Sequence, residues 1–268
     1  MKQKKIISLA LALVLALSML AGCGNNNAAS SASSASSAVS ESSVSSEASE
    51  ISEASDSSTA SEDAADENET AAKQLLVDLT GSYQELWPVI LDSQYEDIWL
   101  ENCKELVGED NAQAAFDKLS SMVTGTVYGE EAVKAYADGG GAYDCSFTEG
   151  LSTVEFDGAT STIKGYDAEG SELFSHTYHY VGMEEVRGLY EYESDDADSG
   201  EFTYFCMAPD TNTTTYHIEF RYGSDLEALG KYDAGNYAYW LASGISTEYD
   251  QTMIENCIKL FCTENLSE

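Results

Sequence analysis

The chain has 268 residues, of which 48 are Asp or Glu and only 12 are Lys or Arg, giving a formal net charge of −36. A surface this acidic repels nucleic acid and anionic lipid, so neither polyanion is an expected partner. It attracts cations weakly and without selectivity, so acidity by itself marks no metal site.

The chain opens on three lysines between Met1 and Lys5, then the apolar run "IISLALALVLALSML" and "LAGC" at residues 20–23. A basic start, a short apolar stretch and small residues before a break read as a secretory signal over residues 1–22. The run is about 15 residues long, short of the ~20 that a spanning helix needs. "LAGC" resembles the lipobox of bacterial lipoproteins. That resemblance makes Cys23 the lipidated N-terminus of the mature chain and places the protein on the outer side of the cell membrane, held by lipid. Several acyl chains suffice for stable anchoring, where one is marginal. Loss of Lys2, Lys4 and Lys5 with the signal takes the net charge from −36 to −39.

Residues 23–70 are almost entirely Ser, Ala, Glu and Asp, with no aromatic residue and no Lys or Arg. Such a segment cannot bury enough apolar area to offset its ordering entropy. It is expected to be a disordered tether, extended by its own charge. Residues 71–268 carry all 17 tyrosines and are long enough for one domain with a sizeable core.

The first third of that domain reads as helical. "LLVDLTGSYQELWPVI" places Leu79, Tyr83, Leu86 and Trp87 on one face. "QYEDIWLENCKELVG" repeats the spacing with Tyr95, Ile98, Trp99, Asn102 and Leu106, and "NAQAAFDKLSSMVTG" and "EEAVKAYADGGG" add two shorter helices. Seven Thr/Tyr/Phe/Val-rich runs follow: "AYDCSFTEG", "LSTVEFDG", "STIKGYD", "ELFSHTYHYVG", "RGLYEYES", "EFTYFCMA" and "TTTYHIEFRYG". Turn clusters separate them. Consecutive strands at hairpin spacing predict an antiparallel meander, and a meander this long closes into a barrel. "EYDQTMIENCIKLFCTEN" returns to a helix. The expected fold class is α+β: N-terminal helices, an antiparallel calycin-like (lipocalin-like) β-barrel and a C-terminal helix.

No nucleophile elbow, phosphate-binding loop, dinucleotide fingerprint or HExxH is present, so an enzyme is not expected. "ESDDADSGE" could offer Asp196, Asp198 and Glu201 to calcium, but it lacks the spacing of an EF-hand loop and reads better as a solvated turn. His176 and His179 lie three apart on a strand, which points them to opposite faces. Once Cys23 is lipidated, Cys103, Cys145, Cys206, Cys257 and Cys262 remain, so at least one is unpaired or a ligand. Cys257 and Cys262 are five apart on one helix, a poor disulfide geometry.

"CMAPDTNTTTYHIEF" is the best metal candidate. If "PDTN" forms the turn, Cys206 lies across from Thr215, and Thr215 and His217 share a strand face. Phe205, Tyr216 and Phe220 then fall on the other face. Cys206 and His217 are the predicted ligands, with Thr215 a hydrogen-bonding neighbour because its hydroxyl is a poor zinc donor. Asp210 or His179 could complete the set.

Here the chain resembles the ZinT family of lipocalin-like zinc-recruitment proteins, a domain that also ends some zinc-binding lipoproteins of ABC importers. The similarity runs from about Leu79 to Phe261. It is carried by "GSYQELWPVI", "VEFDG", "YHYVG", "GLYEYE", "APDTNTTTYHIEFRYGSDLEAL" and "GNYAYWLASGISTEYDQTMI". The resemblance implies divalent metal, zinc first, bound for recruitment or delivery to an importer or its binding protein. The family's three histidines fall by spacing at Cys206, Thr215 and His217, or at Phe205 for the first if Pro209 sets the alignment. Only His217 matches in identity. The family's histidine-rich segment is replaced by the Ser/Glu tether, and its paired cysteines fall at His176 and Tyr192. The rival reading is a calycin-like surface module that binds a non-metal ligand or a protein.

Overall fold

The computed structural model describes residues Thr59–Ser267, with side chains from Glu67 onward. The leader, Cys23 and the tether up to residue 58 lie outside the described residues. Helix α1 (Thr59–Asp78) runs across residue 70, so the expected boundary at 71 falls inside a helix. Its Ala- and Glu-rich first half has good helix formers, but the buried positions are Ala72, Leu75 and Leu76, with Leu79 just beyond its end. Among the described residues no helix is long and apolar enough to cross a membrane.

The helix expected over "LLVDLTGSYQELWPVI" is corrected: after α1 come a strand, β1 (Gly81–Glu85), and a short helix, α2 (Trp87–Ile90). Gly81 at φ 143° ends helical backbone there. Leu79, Tyr83, Leu86 and Trp87 mimic a helical stripe, yet Tyr83 enters one core while Leu86 and Trp87 enter another. Helices α3 (Glu96–Val107), α4 (Ala112–Val123) and α5 (Gly129–Ala135) form where the periodicity places them. Strands β2 (Thr153–Asp157), β3 (Thr162–Tyr166), β4 (Glu172–Met183), β5 (Tyr190–Ser194), β6 (Tyr204–Met207) and β7 (Ile218–Gly223) account for six of the expected seven runs. "AYDCSFTEG" is not a strand. It contributes single bridges at Asp144, to Thr124 and to Trp240. The short helix α6 (Leu226–Leu229), an unforeseen strand β8 (Ala242–Ser246) and helix α7 (Gln251–Leu266) complete the chain.

The strands pair in chain order, and β1 joins β8 to close an eight-stranded antiparallel barrel. The α+β barrel expectation stands, with β1 and β8 supplying the closing seam. Inward-pointing rings fill the lumen: Phe205 lies 5.4 Å from Tyr222, and Tyr222 lies 4.9 Å from Trp240, edge to face. The Tyr192 hydroxyl donates to the Ala72 carbonyl at 2.7 Å, which fastens α1 to the barrel. A second core lies outside the barrel, where Leu86, Trp87, Ile90, Trp99 and Leu119 meet Ile254 and Ile258 of α7. There the Trp99 indole donates to the Ile90 carbonyl at 2.7 Å.

Gly165 stands opposite Phe174 in the β3–β4 ladder, and an added Cβ would collide with the Phe174 ring and with Leu151. Gly165→Val is therefore expected to destabilise the domain by about 1–3 kcal/mol through overpacking. Urea unfolding followed by tryptophan fluorescence measures this, and an unchanged midpoint would contradict the packing.

Candidate metal centre at His217

The β6–β7 connection differs from the expected tight "PDTN" turn. The amides of Thr214, Thr215 and Tyr216 all donate to the Thr211 carbonyl at 2.9–3.0 Å, and the Thr211 amide donates to the Thr214 hydroxyl at 2.9 Å. Tyr216 takes a left-handed backbone, φ 66°, and leans into the helix-side core instead of joining Phe205 and Phe220. Hydroxyl groups that bond their own backbone offer the chain a longer loop than a two-residue reversal. The register moves accordingly.

Cys206 pairs with Arg221 and not with Thr215, which corrects the expected register. His217 lies four residues before Arg221, on the order of 13 Å along an extended chain. Cys206 lies across from the middle of β7, whereas His217 sits just before the strand's first residue. Around Cys206 are Glu191 and Arg221, its ladder neighbours. Burial first, and then Glu191, push its thiol up to about 12, with Arg221 opposing. Arg221 is buried and donates to the carbonyls of Leu229, Lys231 and Tyr237, with its guanidinium 4.5 Å from the Tyr232 ring. This end of the hairpin is a closed structural network.

The other end has a different character. His217 Nδ1 is 2.7 Å from the Thr215 carbonyl oxygen, which cannot donate, so Nδ1 carries the proton. Nε2, the nitrogen that can give up its proton, is 3.7 Å from Oε1 of Glu219, with both side chains about 15% exposed or less. The other Glu219 oxygen, Oε2, is buried without a hydrogen-bond partner, as is Trp87 Nε1. Glu219 and Trp87 both line an enclosed void of about 20 Å³, roughly the size of one water or small ion. From α7, Cys257 places its sulfur 3.9 Å from His217 Nδ1.

Charge gathers here. Burial pushes the Asp210 carboxyl up to about 6, with Glu219 and Glu264 adding to the rise and His217 opposing it. Glu264 on α7 is also raised, mainly by burial. Burial disfavours protonated His217, but Cys257, Glu219 and Asp210 outweigh it and hold the imidazole well above its ordinary value. Three carboxylates therefore surround one imidazole.

Zinc holds imidazole nitrogen and carboxylate oxygen at about 2.0–2.2 Å, so two such ligand atoms of a tetrahedral ion lie roughly 3.4 Å apart. The Nε2 to Oε1 spacing of 3.7 Å fits that span within a small closure. As the side chains stand, no three His, Cys, Asp or Glu groups among the described residues converge on one point. His217 and Glu219 are thus a pair of potential donors, with Asp210 and Glu264 near enough to interact electrostatically.

The other histidines are engaged elsewhere. His176 Nδ1 contacts Asp196 at 2.8 Å and His179 Nδ1 contacts Asp195 at 2.7 Å, the first half-buried and the second exposed. Asp196 and Glu201 diverge, since Glu201 accepts from Ser224 and Tyr237. The acidic turn is therefore a set of separate contacts. Sequence reasoning reached His217 and named Asp210, but missed Glu219 and Glu264. The alternation that linked Thr215 to His217 also places Glu219 on His217's face, which was the available signal.

No family model matches the sequence, and no curated protein matches it. Among solved structures, the Zn(II)-bound ZinT-like domain of Streptococcus pneumoniae AdcA is 14% identical over 68% of this chain and 89% of that one, with a TM-score of 0.44. Zn(II)-bound AdcA from the same organism is 14% identical over 69% of this chain and 34% of its own length, with a TM-score of 0.42. The chain is similar to a ZinT-like domain.

The raised Asp210 and His217 both tie stability to pH. Each binds its proton more tightly folded than unfolded, so each contribution is full below its unfolded value, about 3.9 and 6.5, and is lost as pH rises through the folded one. Asp210→Asn is expected to stabilise the domain at pH 7–8 by on the order of 2 kcal/mol and to change little near pH 4. Thermal melts across that range check it, and equal melting temperatures at pH 8 would contradict the burial argument.

Proposed function

We propose that the chain is a lipid-anchored extracytoplasmic protein whose barrel domain binds a divalent cation, zinc first, beside His217, for delivery to an importer. The observation that carries this is the pinned imidazole. Its Nδ1 donates to Thr215, and its Nε2 faces a buried carboxylate whose second oxygen has no partner. Metal-bound histidines are commonly oriented by such a hydrogen bond from the second ring nitrogen. Asp210 and Glu264 supply the remaining charge. Cys206 is left out of this set because its neighbours are Glu191 and Arg221. The bound cation would offset repulsion among three carboxylates facing a single imidazole.

Zinc titration against a chromophoric chelator tests the reading. His217→Ala and Glu219→Gln should each weaken binding on the order of 100-fold, while Cys206→Ser and His176→Ala should leave it unchanged. Affinity should rise with pH as Asp210, raised to about 6, and then His217, held well above its ordinary value, give up their protons. Equal, weak affinity in all variants would mean that the acidic surface alone attracts the ion.

Failure of that test would favour the second reading, a calycin-like module for a non-metal ligand. One observation stands behind it: a cleft of about 490 Å³ outside the barrel, lined by Glu85, Trp87, Leu91, Thr126 and Asp144 among others. That volume lies within the range of small-molecule sites.

The anchoring part has its own test. Cys23→Ser should release the protein from the membrane fraction or leave it unprocessed, as read by fractionation and intact mass. A variant that is cleaved normally and stays membrane-bound would refute lipid attachment at Cys23.

A further inference from the structure

Two of the five buried cysteines meet across the helix layer. Cys103 on α3 and Cys262 on α7 are both fully buried, and their sulfurs are 3.9 Å apart. The other three thiols have different surroundings. Cys257 faces His217, Cys206 lies beside Arg221, and Cys145 sits against the Tyr143 carbonyl. Among the described residues, Cys103 and Cys262 are the one pair of sulfurs in contact.

We propose that Cys103 and Cys262 form a disulfide that clamps α7 to α3. Contact at 3.9 Å leaves side-chain rotation and a small helix shift to reach the ~2.05 Å bond. The reaction balances as an exchange with an external disulfide oxidant, a small-molecule disulfide or a disulfide-carrying oxidoreductase. Each thiol loses its proton and one electron, one S–S bond replaces two S–H bonds, and the oxidant's disulfide becomes two thiols. Burial raises both thiols above their ordinary values, which starves the folded chain of the attacking thiolate. The bond therefore forms while the chain folds, before the helix layer closes. The pair is 159 residues apart in sequence, so the bond closes a long loop. Such a loop carries a large loss of unfolded-state entropy. Because α7 also carries Cys257 and Glu264, the clamp fixes the helix that covers His217, although the bond itself does not depend on metal binding.

Peptide mapping decides the matter, because the positions of Lys and Arg put each of the six cysteines on its own tryptic peptide. The full chain would be refolded with reduced and oxidised glutathione, blocked with iodoacetamide and digested without reduction. The expected product is residues 74–104 joined to residues 260–268, two mass units below the sum of the free peptides. Reduction should then lower the melting temperature by on the order of 10 °C. Cys103→Ala and Cys262→Ala should each melt at the same temperature with and without reductant. Recovery of both peptides singly alkylated, or joined mainly to other cysteine peptides, would overturn the proposal. If either variant fails to fold, the wild-type map still decides.

Discussion

The short seam between β1 and β8 is the constraint on which the rest of the molecule depends. Tyr83, Gln84 and Glu85 pair with Ser246, Ile245 and Gly244, and those three pairs turn an open meander into a barrel. A closed barrel has no edge strand to aggregate and no unpaired ladder to solvate. The seam also launches the helix layer. Trp87 opens α2 two residues after β1 ends, and α7 begins at Gln251, five residues after β8. Both helices must therefore lie against the outer wall beside the seam, and β7 pairs with β8 directly. The position of α7 over His217 is a consequence of that closure.

Strand β7 then divides the chemistry of the hairpin between its two faces and its two ends. Ile218, Phe220 and Tyr222 point inward and build the aromatic core. Outward-pointing Glu219 and Arg221 are covered by different pieces of chain, which explains why the charges do not neutralise each other. Arg221 is capped by three backbone carbonyls from 229–237 and the face of Tyr232. It uses its donors on dipoles, and no carboxylate is drawn to it. Glu219 lies under α7 with one oxygen toward His217 and one unpartnered. A buried cation bonded to carbonyls through its two terminal nitrogens, with Nε unpartnered, and a buried anion with one oxygen unpartnered are placed two residues apart. That arrangement gathers negative charge at one location and draws a proton onto the neighbouring His217.

The sequence made much of this legible, because alternation and turn chemistry are local signals. Strands β2 to β7 carry aromatic and β-branched residues at period two, and helices α3, α4 and α7 carry clear stripes. The seam strands carried neither signal. "GSYQE" sits between Leu79 and Leu86 and borrows a helical rhythm from them. "ASGIS" has a glycine at 244, where an added Cβ would come within 3.0–3.3 Å of Ile218 and Phe147. Seam strands are chosen for what packs over them, which no single-sequence pattern reports. His217 was legible as a candidate residue, since alternation survives any register. Its partner was not, because one longer loop moves every cross-strand neighbour. Cys206 moved out of reach with that shift, and Glu219 was next to His217 all along.

Asp210, Glu219 and Glu264 come from a loop, a strand and a helix, so their mutual repulsion acts on the joints between elements. The domain can relieve it in two ways, by keeping protons on Asp210 and His217 or by admitting a cation. These compete for the same lone pairs, so proton release and cation uptake are linked by necessity. A ligand that binds only the folded state adds its binding free energy to stability. That gain would be felt mainly where α7 meets β7, because Glu264 is the one of the three carboxylates that α7 carries. A clamp at Cys262, half a helical turn from Glu264, would hold the helix in place while the cluster is still unneutralised. The fold would then tolerate an unfavourable charge arrangement beside His217.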